Sequence, residues 1–200
     1  MKDLVVLVAD KDMEQTLYGI LSRTKSLGIR EINKDIYPYP DHDPGCATRG
    51  VEFLSHFTAT HEHALLIFDY EGSGTVKPVN ELKDSLNEQL TQHWEDRARA
   101  IILNPELEIW VWSTSPHVEE VLGWKGRLPL RDWLVKEGLL EAGEVKPERP
   151  KEAFEATIRK TGTPRSASLY RQLAGKVSLD RCSDPAFCEL KEVLKNWFRS

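Results

Sequence analysis

Short apolar runs that stop at an acidic residue constrain this chain more than any other feature. "LVVLVA" (4–9) ends at Asp10 and "ALLIF" (64–68) ends at Asp69. Both are rich in Val, Ile and Leu and only five or six residues long, so they read as buried strands rather than helices. "IREINKDIY" (29–37) and "RARAIIL" (97–103) are the other strand candidates. Between them the apolar residues recur at helical spacing. Met13, Leu17, Ile20, Leu21 and Leu27 mark a helix over 12–27 that Gly28 stops, and Val51, Leu54 and Phe57 mark one over 46–60 after the Pro-rich loop "YPYPDHDPG". Val79, Leu82, Leu86 and Leu90 mark a third over 79–92. In "NPELEIWVWS", Asn104 as cap, Pro105 and Glu106 predict a helix start over the competing strand alternation. Strands alternating with helices imply βαβ units and a parallel sheet. The expected fold class is therefore α/β, a Rossmannoid parallel sheet flanked by helices over 1–115, with a helical C-terminal extension over 116–200 packed on the same domain.

The chain has 200 residues, 40% hydrophobic and 30% charged, enough for one proper core. The apolar runs are far too short for a membrane span and the start lacks a signal-peptide pattern, so no membrane association and a cytoplasmic location are expected. Cys46, Cys182 and Cys188 form no C-x-x-C pair and read as ordinary thiols. Net charge is −5, distributed unevenly: residues 1–143 carry 15 Lys and Arg against 24 Asp and Glu, whereas 144–200 carry 12 against 8. A basic tail admits an anionic partner as well as a solvated helical surface.

In an open α/β sheet the functional crevice lies outside the carboxyl ends of the strands. Asp10 ends the first strand, Asp69 and Glu71 end the third on one side with Tyr70 on the other, and Glu106 follows the fourth. Glu14, four residues after Asp10, shares a helical face with it. Carboxylates about 5 Å apart repel by roughly 3 kcal/mol at an effective dielectric near 20, so a proton or a cation belongs among them. Hard oxygen donors without histidine or cysteine favour Mg²⁺ or Mn²⁺, ions that serve phosphoryl chemistry.

"VLVADKDME", "LLIFDYEG" and "NPELEIW" together resemble the Toprim fold of topoisomerases, bacterial primases and overcoming-lysogenization-defect nucleases. They resemble more closely the small Toprim-like proteins of bacterial phage-defence islands, including methylation-associated defence systems. The helical stretch from Thr163 to Trp197 adds to the likeness. The resemblance implies an Mg²⁺- or Mn²⁺-dependent nuclease with Asp10 and Glu14 catalytic and Asp10, Glu14, Asp69, Glu71 and Glu106 around the metal. Glu108 belongs to the same E-x-E motif. The family pattern has Glu followed by Gly where this chain has Asp10 and Lys11, and Asp-x-Asp where it has Asp69 and Glu71. The implied partners are nucleic acid, at Lys11, Arg159, Lys160, Arg165 and Arg171, and other defence proteins. A non-catalytic subunit of a defence complex is the alternative. A receiver-type phosphoacceptor domain, with Asp10, Asp12 and Asp69 but no evident fifth-strand lysine, is the third reading.

Other residues read more simply. Asp12 suits a helix cap as well as a ligand. Glu106 suits a helix dipole, and Glu108 is expected to face away from it. His42 and Asp43 fall in a stretch that could bring them to the rim of the crevice, although turn formation accounts for its Asp, Pro and Gly. His61 and His63 lack a third ligand at zinc spacing. Trp110, Trp112, Trp124, Trp133 and Trp197 read as core rather than as base-stacking platforms.

Overall fold

The computed structural model describes residues 1–199. Its strands are β1 (Lys2–Val8), β2 (Lys34–Pro38), β3 (His61–Asp69) and β4 (Ala98–Leu103), all parallel in the order β2-β1-β3-β4. The helices within this half are α1 (Lys11–Leu21), α2 (Thr24–Leu27), α3 (His42–Ser55) and α4 (Val79–Trp94). Five more follow: α5 (His117–Val121), α6 (Leu130–Lys136), α7 (Pro150–Thr161), α8 (Ala167–Lys176) and α9 (Pro185–Phe198). The α/β class, the parallel sheet and the C-terminal helices are as the sequence pattern implies. No helix among the described residues is long and apolar enough to cross a membrane.

Strand alternation splits the interior in two. Leu4, Val6, Val8, Leu65, Ile67, Ile101 and Leu103 face one cluster, completed by α1, α2 and the C-terminal helices. Val5, Leu7, Leu66, Phe68, Ala100 and Ile102 face the other, under α3 and α4. Residues Leu4 to Val8 have no exposed surface at all, as expected for a strand covered on both faces. The first cluster needs α8 to lie directly against α1. Gly19 permits this, because a Cβ there would sit 2.7 Å from the Ala174 Cβ and 2.8 Å from the Arg171 carbonyl oxygen.

Four local expectations are corrected. The helix expected over 12–27 is divided into α1 and α2 at Ser22 and Arg23, although Gly28 does close it in the left-handed conformation. The strand expected from residue 29 starts at Lys34, because Asp3 binds Arg30 and the Asn33 N–H with its carboxylate and so holds that segment outside the ladder. The segment expected to remain a loop to residue 45 is already helical from His42. Pro44 sits in the first turn, where its missing N–H has no intrahelical partner to lose, and Gly45 leaves room for the Tyr39 ring. The helix expected at "NPELEIW" is a single 3-10 turn, Leu107–Trp110. Asn104 and Pro105 do not open it: the Pro105 carbonyl accepts the Glu71 N–H at 2.9 Å, tying this segment to the end of β3.

The tryptophans are packing residues. Trp110 and Trp112 are buried, while Trp124, Trp133 and Trp197 pack against the larger cluster. Gly19→Ala should destabilise the protein by about 1 to 3 kcal/mol, the usual range for forcing extra atoms into a packed contact. Chemical denaturation of the two proteins measures the difference, and an unchanged midpoint would mean that α1 and α8 separate easily.

Candidate functional site

The sheet reverses direction at β1, which has β2 on one side and β3 on the other. A ligand crevice is expected at the carboxyl ends of such a pair. An open cleft of about 590 Å³ lies there, lined by acidic side chains from both halves of the chain and by Arg149, Lys151, Arg165 and Tyr170.

Asp10 comes to the cleft just beyond β1. Its extended backbone and its Oδ1, which accepts the Met13 N–H at 2.9 Å, make it the cap of α1, the role expected of Asp12. Asp12 lies in the first turn and its Oδ2 is 3.4 Å from Arg165 Nη2. Burial and the nearby Asp10 charge raise the Asp12 pKa, and Arg165 opposes them. Asp69 ends β3, with Tyr70 packed into the cluster on the opposite face of the sheet. The Asp69 Oδ1 is fully buried and has no hydrogen-bond partner. Burial, with Asp43 beside it, pushes the Asp69 pKa well above the usual carboxylate range, and a backbone N–H at Leu107 pulls the other way. Glu71 is exposed at the rim of the same cleft.

The 3-10 turn and the residue before it supply two more acids. Glu106 is 8% exposed and its Oε1 accepts the Lys151 N–H at 3.1 Å, in the first turn of α7, with Lys151 Nζ 3.7 Å from Oε2. It does complement a helix N-terminus, but that of α7 rather than of a helix beginning at its own position. Burial and Glu108 raise its pKa, and Lys151 opposes them. Glu108 corrects the expectation that it faces away: it is 3% exposed, its Oε1 accepts the Tyr170 hydroxyl at 2.5 Å, and Arg165 Nη2 lies 3.5 Å off. Asp43 is the other acid that the sequence reading placed in a turn. From the first turn of α3 its Oδ1 accepts the Asp69 N–H at 2.8 Å.

The structure thus brings Asp10, Asp69, Glu71 and Glu106 together and leaves Glu14 out. Glu14 does not line the cleft, and its Oε2 is 3.4 Å from Gln15 Nε2 on α1. Of the basic residues named from sequence, Arg165 lines the cleft. Arg159 lines a neighbouring hollow with Arg165, and Lys11 lines one shared with Asp10 and Asp12. Lys160 is exposed on α7, and Arg171 lies over the Tyr18 ring, bonded to Gln15. Arg149 and Lys151 were not singled out. Proline at the start of α7 was the available signal, since it marks a helix N-terminus with Arg149 as its cap. His61 and His63 occupy the opposite end of the sheet, His61 against Asp35 and His63 against Trp197.

The fit of these residues to a hard cation rests on the donor set. All the acids offer oxygen, and one buried carboxylate oxygen lacks any partner. Among the described residues no three His, Cys, Asp or Glu side chains form a ready-made set of ligands. Mg²⁺ characteristically takes one or two carboxylates and keeps several waters, so it does not require such a set. Comparison of the chain with protein families, with curated proteins and with solved structures finds no match in any of the three.

A carboxyl group whose pKa is higher folded than unfolded stabilises the protein while protonated, and that contribution disappears as pH rises through the folded value. Asp69→Asn should therefore match the wild type at low pH and exceed it at neutral pH by about 1 to 3 kcal/mol in EDTA. Urea denaturation across that pH range tests the sign, and a less stable mutant at neutral pH would refute it.

Proposed function

We propose that the cleft is the site of an Mg²⁺- or Mn²⁺-dependent phosphodiesterase acting on nucleic acid, as the Toprim-like resemblance implies, in bacterial anti-phage defence. The observation that carries this reading is the buried, unpartnered Asp69 Oδ1 among other carboxylates at the reversal point of the sheet. Asp69 and Asp10 would hold the ion, with Glu71 at the rim. A bound divalent ion would supply charge neutralisation for a phosphate and a more acidic water.

The chain's own groups divide the remaining work. Arg165, Lys151 and Arg149 offer N–H donors across the cleft from Asp10 and Asp69, a disposition that suits the non-bridging oxygens of a phosphodiester. Asp10 uses Oδ1 to cap α1, which leaves its second oxygen for proton transfer. Glu108 and Tyr170 hold one another and keep Arg165 beside the cleft, where its guanidinium lies over the Tyr170 ring. Burial lowers the Arg165 pKa, but Tyr170, Glu108 and Asp12 more than offset this and keep it charged.

A non-catalytic nucleic-acid-binding subunit draws on the same cleft, since Arg165 already gives Asp12 and Glu108 a counter-charge. The receiver reading draws on Asp10, Asp12 and Asp69, but among the described residues the only lysine lining the cleft is Lys151, on α7 rather than a fifth strand. Purified protein with plasmid, linear DNA and RNA, in Mg²⁺, Mn²⁺ or EDTA, separates these. Cleavage that needs the metal and falls at least a hundredfold in Asp69→Asn supports the enzyme. Binding without cleavage leaves the subunit, and acid-labile labelling of Asp69 by acetyl phosphate would replace both with the phosphoacceptor.

A further inference from the structure

We infer that Asp43, which the resemblance to Toprim-like proteins does not assign, is a positioning residue of this site: it fixes Asp69 and adds negative charge beside the cation. The inference rests on the cation-binding reading of the cleft. It gives Asp43 the place that helical spacing had given to Glu14.

Two observations converge on it. Asp43 accepts the Asp69 N–H at 2.8 Å, and so anchors the backbone from which the Asp69 side chain projects. The Asp69 Oδ1 is buried without a partner in the same cleft. α3 reaches this point because Gly45 clears the Tyr39 ring, and Gly72, at a φ of 96°, turns the chain after β3 close to Asp43 Oδ2. A neutral Asn would satisfy the Asp69 N–H equally well. A carboxylate in that position repels a charged Asp69 instead, a repulsion that a proton on Asp69 removes and that a cation between or beside the two turns into a favourable interaction. Glu14 has no comparable link, since its carboxylate accepts from the side chain of its neighbour Gln15.

Mn²⁺ titration followed by the electron paramagnetic resonance signal of the free ion tests this, alongside thermal unfolding in EDTA and in Mn²⁺. Asp43→Asn keeps an acceptor for the Asp69 N–H and removes the charge. It should weaken Mn²⁺ binding at least tenfold while its melting temperature in EDTA equals or exceeds that of the wild type. Asp43→Ala should weaken binding further and melt lower in EDTA, since it also frees the end of β3. Glu14→Gln should bind Mn²⁺ as the wild type does. Wild-type affinity in Asp43→Asn, or a loss in Glu14→Gln instead, overturns the role given to Asp43 while the cation site, shown by loss of binding in Asp69→Asn, stands. A wild type that binds no Mn²⁺ overturns both.

Discussion

A strand buried on both faces sets the rest of the structure. Leu4 to Val8 of β1 have no exposed surface, so each side of the sheet needs its own cover. The helices between strands meet this unequally. α3 and α4 close one face, whereas α1 and α2 leave the other to be completed by the C-terminal helices, with α8 against α1 and α9 against β4. The tail is therefore part of the core. Its return path also carries Arg165 and Tyr170 to the carboxyl edge of the sheet, so the demand for hydrophobic cover delivers polar groups to the cleft.

Once there, those groups sort the acids into two sets. Asp12, Glu106 and Glu108 each have a basic side chain within 4 Å, and Glu108 also has the Tyr170 hydroxyl. The 3-10 turn that bears Glu108 and follows Glu106 is itself held by the tail: Lys146 Nζ binds the Trp112 carbonyl at 2.8 Å, and Asp184 accepts the Trp110 indole N–H at 2.8 Å. Asp10, Asp43 and Asp69 have no such ion pair among the described residues. Their carboxylates accept backbone N–H groups or, at Asp69 Oδ1, nothing. Apart from Glu71 at the exposed rim, the cleft acids that lack a basic partner among the described residues thus lie around the junction of β1 and β3, while Asp12, Glu106 and Glu108 are paired by protein.

Local pattern made much of this legible. Apolar runs located the strands, and their terminal acids located Asp10 and Asp69, because a strand's end and its alternation are properties of neighbouring residues. Asp43 and Glu108 were less legible for the opposite reason. Asp43 sits in a sequence that favours a turn, and only packing of Gly45 on Tyr39 starts a helix there. Glu108 follows what reads as a helix start, but the Pro105 carbonyl is bound to Glu71 and the turn that forms aims Glu108 at a tyrosine 62 positions along the chain. Glu14 shows the converse: spacing of four puts it on the same helical face as Asp10, yet Asp10 lies before the helix begins, in extended backbone, so their side chains do not share a direction.

The same extended backbone gives a local reason for aspartate at position 10. A residue that caps a helix must fold its side chain back to the N–H of the second or third helical residue, and Asp does so readily. Asp10 makes that bond to Met13, which fixes its carboxylate against the first turn of α1. The side chain is one methylene shorter than glutamate, but a capped carboxylate loses little by its length because its position is already set. Asp69, one strand over and in register with it through the pairing of Val8 with Ile67, is anchored in turn by Asp43. Each of the two carboxylates nearest the junction is thus tied to the start of a helix, Asp10 to α1 through its own side chain and Asp69 to α3 through Asp43. The separation of those two helix starts, set by packing on opposite faces of the sheet, fixes the spacing between the two carboxylates.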